Sequence, residues 1–211
     1  MKIFIDLDGT LTELQKRHYE VYSRCARQFK GQLIGVDEYW HDKRANVSWH
    51  DLLTKSNIDP EQESVFLSEF AKLMESPEML RFDSLLPSAR DTLESLSKTN
   101  ELVLVSLRRN RENLIRQLDE LDIARYFLTI VSGHSETKED VLKKKADLIS
   151  SLGDYVGAII IGDTEADISV GKHLGIKTVA VLSGMRDKEF LSAFNPDYII
   201  DSIADISTVL E

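Results

Sequence analysis

The sequence predicts an α/β fold: a parallel sheet with helices on both faces and an all-helical domain inserted after the first strand. Two observations carry this. Short apolar, β-branched runs recur from about residue 101 onward and alternate with stretches of helical periodicity, the pattern of strand–helix units in a parallel sheet. Between the first apolar run at residues 3–5 and the second, the chain carries helical spacing and no strand signal. The expected domains are therefore 1–12 joined with 84–211 for the sheet, and 13–83 for the insertion.

Ile3-Phe4-Ile5 is the first strand. Leu14, His18, Val21, Tyr22, Cys25 and Phe29 then recur at helical spacing, with Gly31 as the stop. Asp59-Pro60-Glu61-Gln62 reads as a helix start, with Asp at the N-cap and Pro at the first helical position. Phe66, Phe70, Leu73 and Met74 mark that helix's apolar face. Ser76-Pro77 begins the return to the sheet, and Pro87 opens a helix holding Leu93 and Leu96.

The second strand runs from Leu102 to Ser106. Asn110 caps a helix with Leu114, Leu118 and Leu121 inside. Leu128 to Val131 is the third strand, followed by a helix over about residues 138–152. Ala158 to Ile161 is the fourth strand and ends at Gly162-Asp163. The next helix reaches Leu174 with Gly175 as its C-cap. Thr178 to Val181 and Tyr198 to Ile200 complete six strands. Ligands of open α/β sheets gather outside the carboxyl ends of the strands, and an insertion after the first strand can sit over that edge.

Composition narrows the function. A formal net charge of −10 argues against general nucleic-acid binding, which needs a basic surface. It permits a small phosphorylated molecule held by a metal and a few local cations. The single cysteine, Cys25, allows no internal disulfide, which points to a reducing, cytoplasmic setting. No apolar run approaches the length that crosses a bilayer, and with a core strand starting at Lys2 no signal peptide is expected.

Two acidic motifs carry chemistry. In Asp6-Leu7-Asp8-Gly9-Thr10, strand alternation puts Asp6 and Asp8 on one side. Like charges there repel, so the pair calls for a cation, a shared proton or exposure at the strand's end. A plainer account is a hydrophobic strand running into a solvated acidic turn. In Gly162-Asp163-Thr164-Glu165-Ala166-Asp167, four residues separate Asp163 from Asp167, so Asp167 can face back toward it. Thr164 and Asp167 as an N-cap and its partner would explain Asp167 structurally, but not an aspartate closing a buried strand.

The apolar strand followed by Asp-x-Asp-Gly-Thr, and the later Gly-Asp-x-x-x-Asp, resemble signatures of the haloacid dehalogenase superfamily. Gly171-Lys172, Gly175-Ile176-Lys177 and Ser183-Gly184 extend the similarity to its phosphoglycolate-phosphatase-like branch. The resemblance implies a Rossmann-like core with a helical cap. It also implies a Mg²⁺-dependent phosphatase that hydrolyses a small phosphate monoester (phosphoglycolate, a sugar phosphate or a nucleotide monophosphate) through an aspartyl phosphate. Asp6 would be the nucleophile and Asp8 the general acid and base. Ser106 would bond a phosphoryl oxygen, or bond its own backbone as strand-end serines often do. Lys138 would neutralise the phosphoryl group. Lys143, Lys144 and Lys145 compete for that role, though a solvated helix face accounts for most of that triple, and Lys138-Glu139 departs from the Lys-Pro common in the branch. Asp6, Asp163 and the backbone carbonyl of Asp8 are hard oxygen donors that suit Mg²⁺ rather than zinc, with Asp167 in support.

An acid at Asp8 sets the chain apart from dehalogenase members, whose halide leaving group needs no proton. A phosphomutase shares these core residues, and a non-catalytic phospho-ligand-binding module would keep the scaffold. A signalling receiver domain would place its aspartate after the third strand, where this chain has Val131-Ser132-Gly133. Arg17, Trp40, His41, Lys43, Arg44 and Trp49 in the insertion could face a substrate, as could Arg108 and Arg109 just after Ser106. Each is expected instead to be a surface charge or a core aromatic.

Overall fold

The computed structural model describes residues 1–134 and 138–210, the side chains of Lys138 and Glu139 excepted. In chain order the elements are β1 (Lys2–Ile5), β2 (Thr12–Glu13), α1 (Gln15–Gln28), α2 (Val36–Arg44), α3 (Trp49–Lys55), α4 (Glu63–Met74), α5 (Pro77–Leu80) and β3 (Ser84–Leu85). Then come α6 (Ala89–Ser97), β4 (Glu101–Ser106), α7 (Arg111–Glu120), β5 (Thr129–Ser132), α8 (Lys138–Ser150), β6 (Ile159–Gly162) and α9 (Glu165–Leu174). β7 (Lys177–Val181), α10 (Lys188–Ser192), β8 (Tyr198–Ile200) and α11 (Ser207–Leu210) close the chain.

Six strands form one sheet in the order β5-β4-β1-β6-β7-β8, and every neighbouring pair is parallel. The first strand therefore lies in the middle, between β4 and β6. The chain builds outward on one side and then crosses to the other. The carboxyl ends of β1, β4 and β6 meet at that switch point, where such sheets bind ligands.

The two faces of β1 follow strand alternation. Ile3, Ile5 and Leu7 pack with Leu93, Leu114 and Leu118 on one side. Phe4 packs on the other with Ala146 and Ile149 of α8 and Val170 of α9. A two-stranded antiparallel ribbon, Thr12–Glu13 against Ser84–Leu85, joins the two passages of chain flanking the insertion. Two-residue strands leave no periodicity to read, and this ribbon was not expected from the sequence.

Residues 14–83 form a second compact unit. Val21, Tyr22, Tyr39, Leu52, Phe66 and Met79 fill its core. Within it Arg17 pairs with Asp83 at 3.1 Å, their side chains 2% and 0% exposed. Lys43 Nζ lies 4.1 Å above the Trp49 ring. His18 Nδ1 meets the Tyr39 hydroxyl at 2.8 Å. Two local readings change. α1 ends at Gln28, and the left-handed residue after it is Lys30, with φ +58°, not Gly31. Gly31 is instead placed by close approach to Ile58. Asp59 caps as expected, accepting from the Glu61 N–H at 3.0 Å, but the first turn is 3₁₀ and the α-helix starts at Glu63.

Candidate active site

Asp6 follows β1 directly, and its N–H still donates to the Ile161 carbonyl at 3.0 Å. Alternation carries it to the side of Phe4, toward α8 and α9. There its Oδ1 accepts from Lys145 Nζ at 2.8 Å. The same ammonium donates to Asp167 Oδ1 at 2.5 Å. Lys145 lies on the inward stripe of α8, one turn from Ile149, while Lys143 and Lys144 are exposed.

The solvated-face account fits most of the lysine triple: Lys143 and Lys144 are exposed, and Lys145 is the exception. Lys138, the lysine preferred from the sequence, has its side chain outside the described residues; of the other three candidates Lys145 is the one that meets Asp6. The sequence did hold the signal: Lys145 precedes Ile149 by four positions on an otherwise apolar stripe.

Asp163 follows β6 and is 1% exposed. Its Oδ2 accepts the Met185 N–H at 2.6 Å, and its Oδ1 accepts the Thr10 hydroxyl at 3.5 Å. A Cβ at Gly9 or at Gly184 would collide with Asp163 Oδ2. Gly9 also has φ +79°, a backbone that side-chain-bearing residues rarely adopt. The two glycines thus let the loops after β1 and β7 close on this carboxylate. Asp167 completes the N-cap arrangement read from the sequence and also binds Lys145, a contact not anticipated. Its Oδ2 accepts from the Thr164 hydroxyl at 2.7 Å and the Thr164 N–H at 3.3 Å, while Oδ1 holds the lysine.

The electrostatics follow from that packing. Burial pushes the Asp6 carboxyl up to about 7, Lys145 opposes the rise, and the charges of Asp167 and Asp8 add to it. Burial likewise raises Asp163 well above the usual carboxylate range; Asp6 and Asp167 add to the rise, and the Met185 N–H and Lys145 oppose it. Burial alone would depress Lys145, but Asp167 and Asp6 outweigh it and hold the ammonium charged. Asp6 and Asp167 thus share one ammonium, Asp163 adds a further buried carboxylate, and fully ionised the three leave negative charge uncompensated.

Ser106 ends β4 and is 2% exposed. Its Oγ accepts the Arg108 N–H at 3.3 Å, the local backbone bond anticipated as the plain explanation, and the hydroxyl hydrogen is still available to donate. The side chain of Arg108 grips Asp8 with both arms, Nε to Oδ2 at 2.7 Å and Nη2 to Oδ1 at 2.6 Å. Sequence reading had set Arg108 aside as a surface charge, yet it is 5% exposed. Its neighbour Arg109 turns to His134, Nε to Nδ1 at 2.9 Å.

Comparison with known proteins settles the family. The haloacid dehalogenase-like hydrolase family matches residues 3–181. The chain is a haloacid dehalogenase-like hydrolase. Among curated relatives, a phosphoglycolate phosphatase of Aquifex aeolicus is 31% identical over 221 residues, covering 99% of this chain and 96% of the relative. A pyrophosphatase PpaX of Oceanobacillus iheyensis is 26% identical over 133 residues, 61% of each chain. The match thus spans about three-fifths of that relative's length. A haloacid dehalogenase-like family hydrolase from Streptococcus pneumoniae has the same fold, with a TM-score of 0.79 at 20% identity, covering 100% of this chain and 98% of that one. These relatives place the hydrolase among the phosphatases. No helix among its described residues is long and apolar enough to cross a membrane.

Members of this family generally use Mg²⁺, and the hydrolase's residues fit that ion by their chemistry. Among the described residues no three His, Cys, Asp or Glu side chains form a metal-holding group. Mg²⁺, however, is commonly held by one or two carboxylates with waters completing its shell. Asp6 and Asp163 are such carboxylates; burial first, and neighbouring carboxylate charge after it, raises both above the ordinary range. The Asp8 side chain is turned to Arg108.

Proposed function

We propose that the hydrolase removes a phosphoryl group from a small phosphorylated metabolite in two displacements, with Asp6 as the nucleophile and Mg²⁺ as cofactor. The reading is supported above all by the meeting of Asp6, Lys145 and Asp163 at the carboxyl ends of β1 and β6. Asp6 attacks phosphorus in line, and the ester oxygen leaves as an aspartyl phosphate forms. Asp8 gives a proton to the leaving oxygen. It then takes one from the water that hydrolyses the intermediate, which restores Asp6 and releases phosphate. Lys145 and the Ser106 hydroxyl stabilise charge on the phosphoryl oxygens, with Lys138 the alternative for the lysine's part. Asp167 holds Lys145 in place. Bound Mg²⁺ would be held by Asp6, Asp163 and the Asp8 carbonyl, and would offset phosphoryl charge and carboxylate repulsion.

The curated relatives point to the substrate class. Phosphoglycolate and pyrophosphate differ in bond type, but both carry an anionic group on the leaving side, close to the bond that breaks. A substrate of that kind is the reading favoured here, in a reducing compartment that suits the buried free thiol of Cys25.

The test is phosphate release across 2-phosphoglycolate, pyrophosphate, sugar phosphates and nucleotide monophosphates, with Mg²⁺ and with a chelator. Release that needs Mg²⁺ and is strongest with the first two is the expected result. Release undiminished by the chelator would remove the metal from the proposal.

A further inference from the structure

We propose that Arg108 is the hydrolase's receptor for a second anionic group, on the leaving side of the substrate, and that binding this group draws Arg108 off Asp8. The inference rests on the two-displacement reading, which puts Asp8 beside the leaving oxygen. Whatever grips the Asp8 carboxylate therefore sits where the leaving group must lie.

The grip is bidentate, at 2.6 and 2.7 Å. The fork of a guanidinium matches a carboxylate or a phosphate edge equally well. With both Asp8 oxygens engaged, the fork of Arg108 stays occupied until another anion takes it. A substrate that offers its own carboxylate or phosphate to the same fork replaces Asp8 as the partner of Arg108. That exchange leaves the Asp8 oxygens facing the ester oxygen.

Arg108 is anchored for the exchange. Its side chain is 4% exposed while that of Asp8 is 25% exposed, so the two differ in how readily solvent reaches them. The Arg108 N–H also binds Ser106 Oγ, which ties the anion receptor to the hydroxyl aimed at the transferred phosphoryl group. One residue thus links the two ends of a substrate bearing two anionic groups. A monoester with a neutral leaving group satisfies Ser106 and Lys145 but leaves Arg108 on Asp8. Arg108 is in these terms both a specificity residue and a positioning residue for the acid.

The experiment has a kinetic arm and a binding arm. Turnover of 2-phosphoglycolate is compared with that of 2-hydroxyethyl phosphate, which differs by lacking the carboxylate, in the wild type, R108Q and R108K. The wild type is expected to prefer the charged substrate by about tenfold or more in kcat/KM. R108Q is expected to lose most of that preference, mainly through KM, while R108K, charged but not forked, retains part of it. In the binding arm, calorimetry compares phosphonoacetate with methylphosphonate. The first is expected to bind the wild type more tightly and R108Q no more tightly than the second. Thermal melts establish that each variant is folded. A folded R108Q with an unchanged substrate preference, or a wild type that binds both phosphonates equally, overturns the proposal. If the wild type turns over neither ester, the phosphatase substrate reading fails separately, and the binding arm still decides the role of Arg108.

Discussion

Both compact units bury charge, and they do so in opposite ways. In the helical unit one arginine meets one aspartate, Arg17 with Asp83, both almost fully enclosed, and Arg17 also reaches the Met74 carbonyl. Within that pair the charges balance. At the end of the sheet Lys145 is shared by Asp6 and Asp167, and Asp163 adds a further buried carboxylate. There the charges do not balance. A balanced buried pair ties helices together, whereas an unbalanced buried cluster keeps an affinity for whatever cation can reach it. The distinction separates a structural ion pair from a site.

Breaking the cluster at its nucleophile has the largest expected effect. Asp6→Asn keeps the shape and the hydrogen-bonding reach but cannot form the acyl phosphate, and turnover should fall by roughly a thousandfold or more. Near wild-type turnover in that variant would rule out the covalent route. Next comes Lys145→Met, which strips the cluster of its internal cation. Loss of turnover by about a hundredfold is expected, together with a melting point that depends more steeply on Mg²⁺. Lys138→Met is the matched control, and if it costs turnover more than Lys145→Met does, the lysine assignment is reversed.

Arg17→Met tests the other side. It removes the arginine from the buried Asp83, at a cost of about 3–5 kcal/mol, read by denaturant unfolding. Because that pair is balanced, the stabilisation by Mg²⁺ should match the wild type's. A changed Mg²⁺ response would mean that the two regions are not independent in the way their charges suggest.

A gentler probe is pH. In the absence of divalent cation, burial keeps the proton on Asp6 in the fold up to about 7, whereas the unfolded chain releases it near the ordinary carboxylate value of 3.8. The stability this contributes is fully present below the lower value and is lost as pH rises through the upper one. Mg²⁺ binds the ionised form. The rise in melting temperature on adding Mg²⁺ should therefore be larger at about pH 8 than at about pH 5, by an amount on the order of 1–3 kcal/mol in stability. Equal increments would count against an Asp6-centred metal site. The smallest effect belongs to Ser23→Ala in the helical unit. Ser23 Oγ is buried with no hydrogen-bond partner among the described residues, so its removal should leave stability unchanged or raise it by up to about 1 kcal/mol.

Much of this was legible before any coordinates. Parallel strands buried on both faces read as continuous apolar runs, so β1, β4, β6 and β7 stood out, and so did the aspartates that close two of them. Alternation along β1 implied that Asp6 would share a side with Phe4, and Phe4 packs against α8 and α9, which supply Lys145 and Asp167. These are local rules, and the sequence by itself determined what they govern: strand identity, the order of helices and strands, and which acids sit at strand ends.

Partner choice between distant residues belonged to the tertiary structure alone. Lys145 is 139 positions from Asp6, and Arg108 is 100 from Asp8. No periodicity spans such intervals: the helical stripe shared with Ile149 marks Lys145 as the inward lysine of its run but does not name its partner. The ribbon of β2 and β3 is of the same kind, two residues pairing with two across the whole insertion. Each of these contacts exists because packing brought unlike charges, or unpaired backbone groups, into a space with little water, where a missing partner is costly. That cost is a property of the folded interior, and the linear chain carries no mark of it.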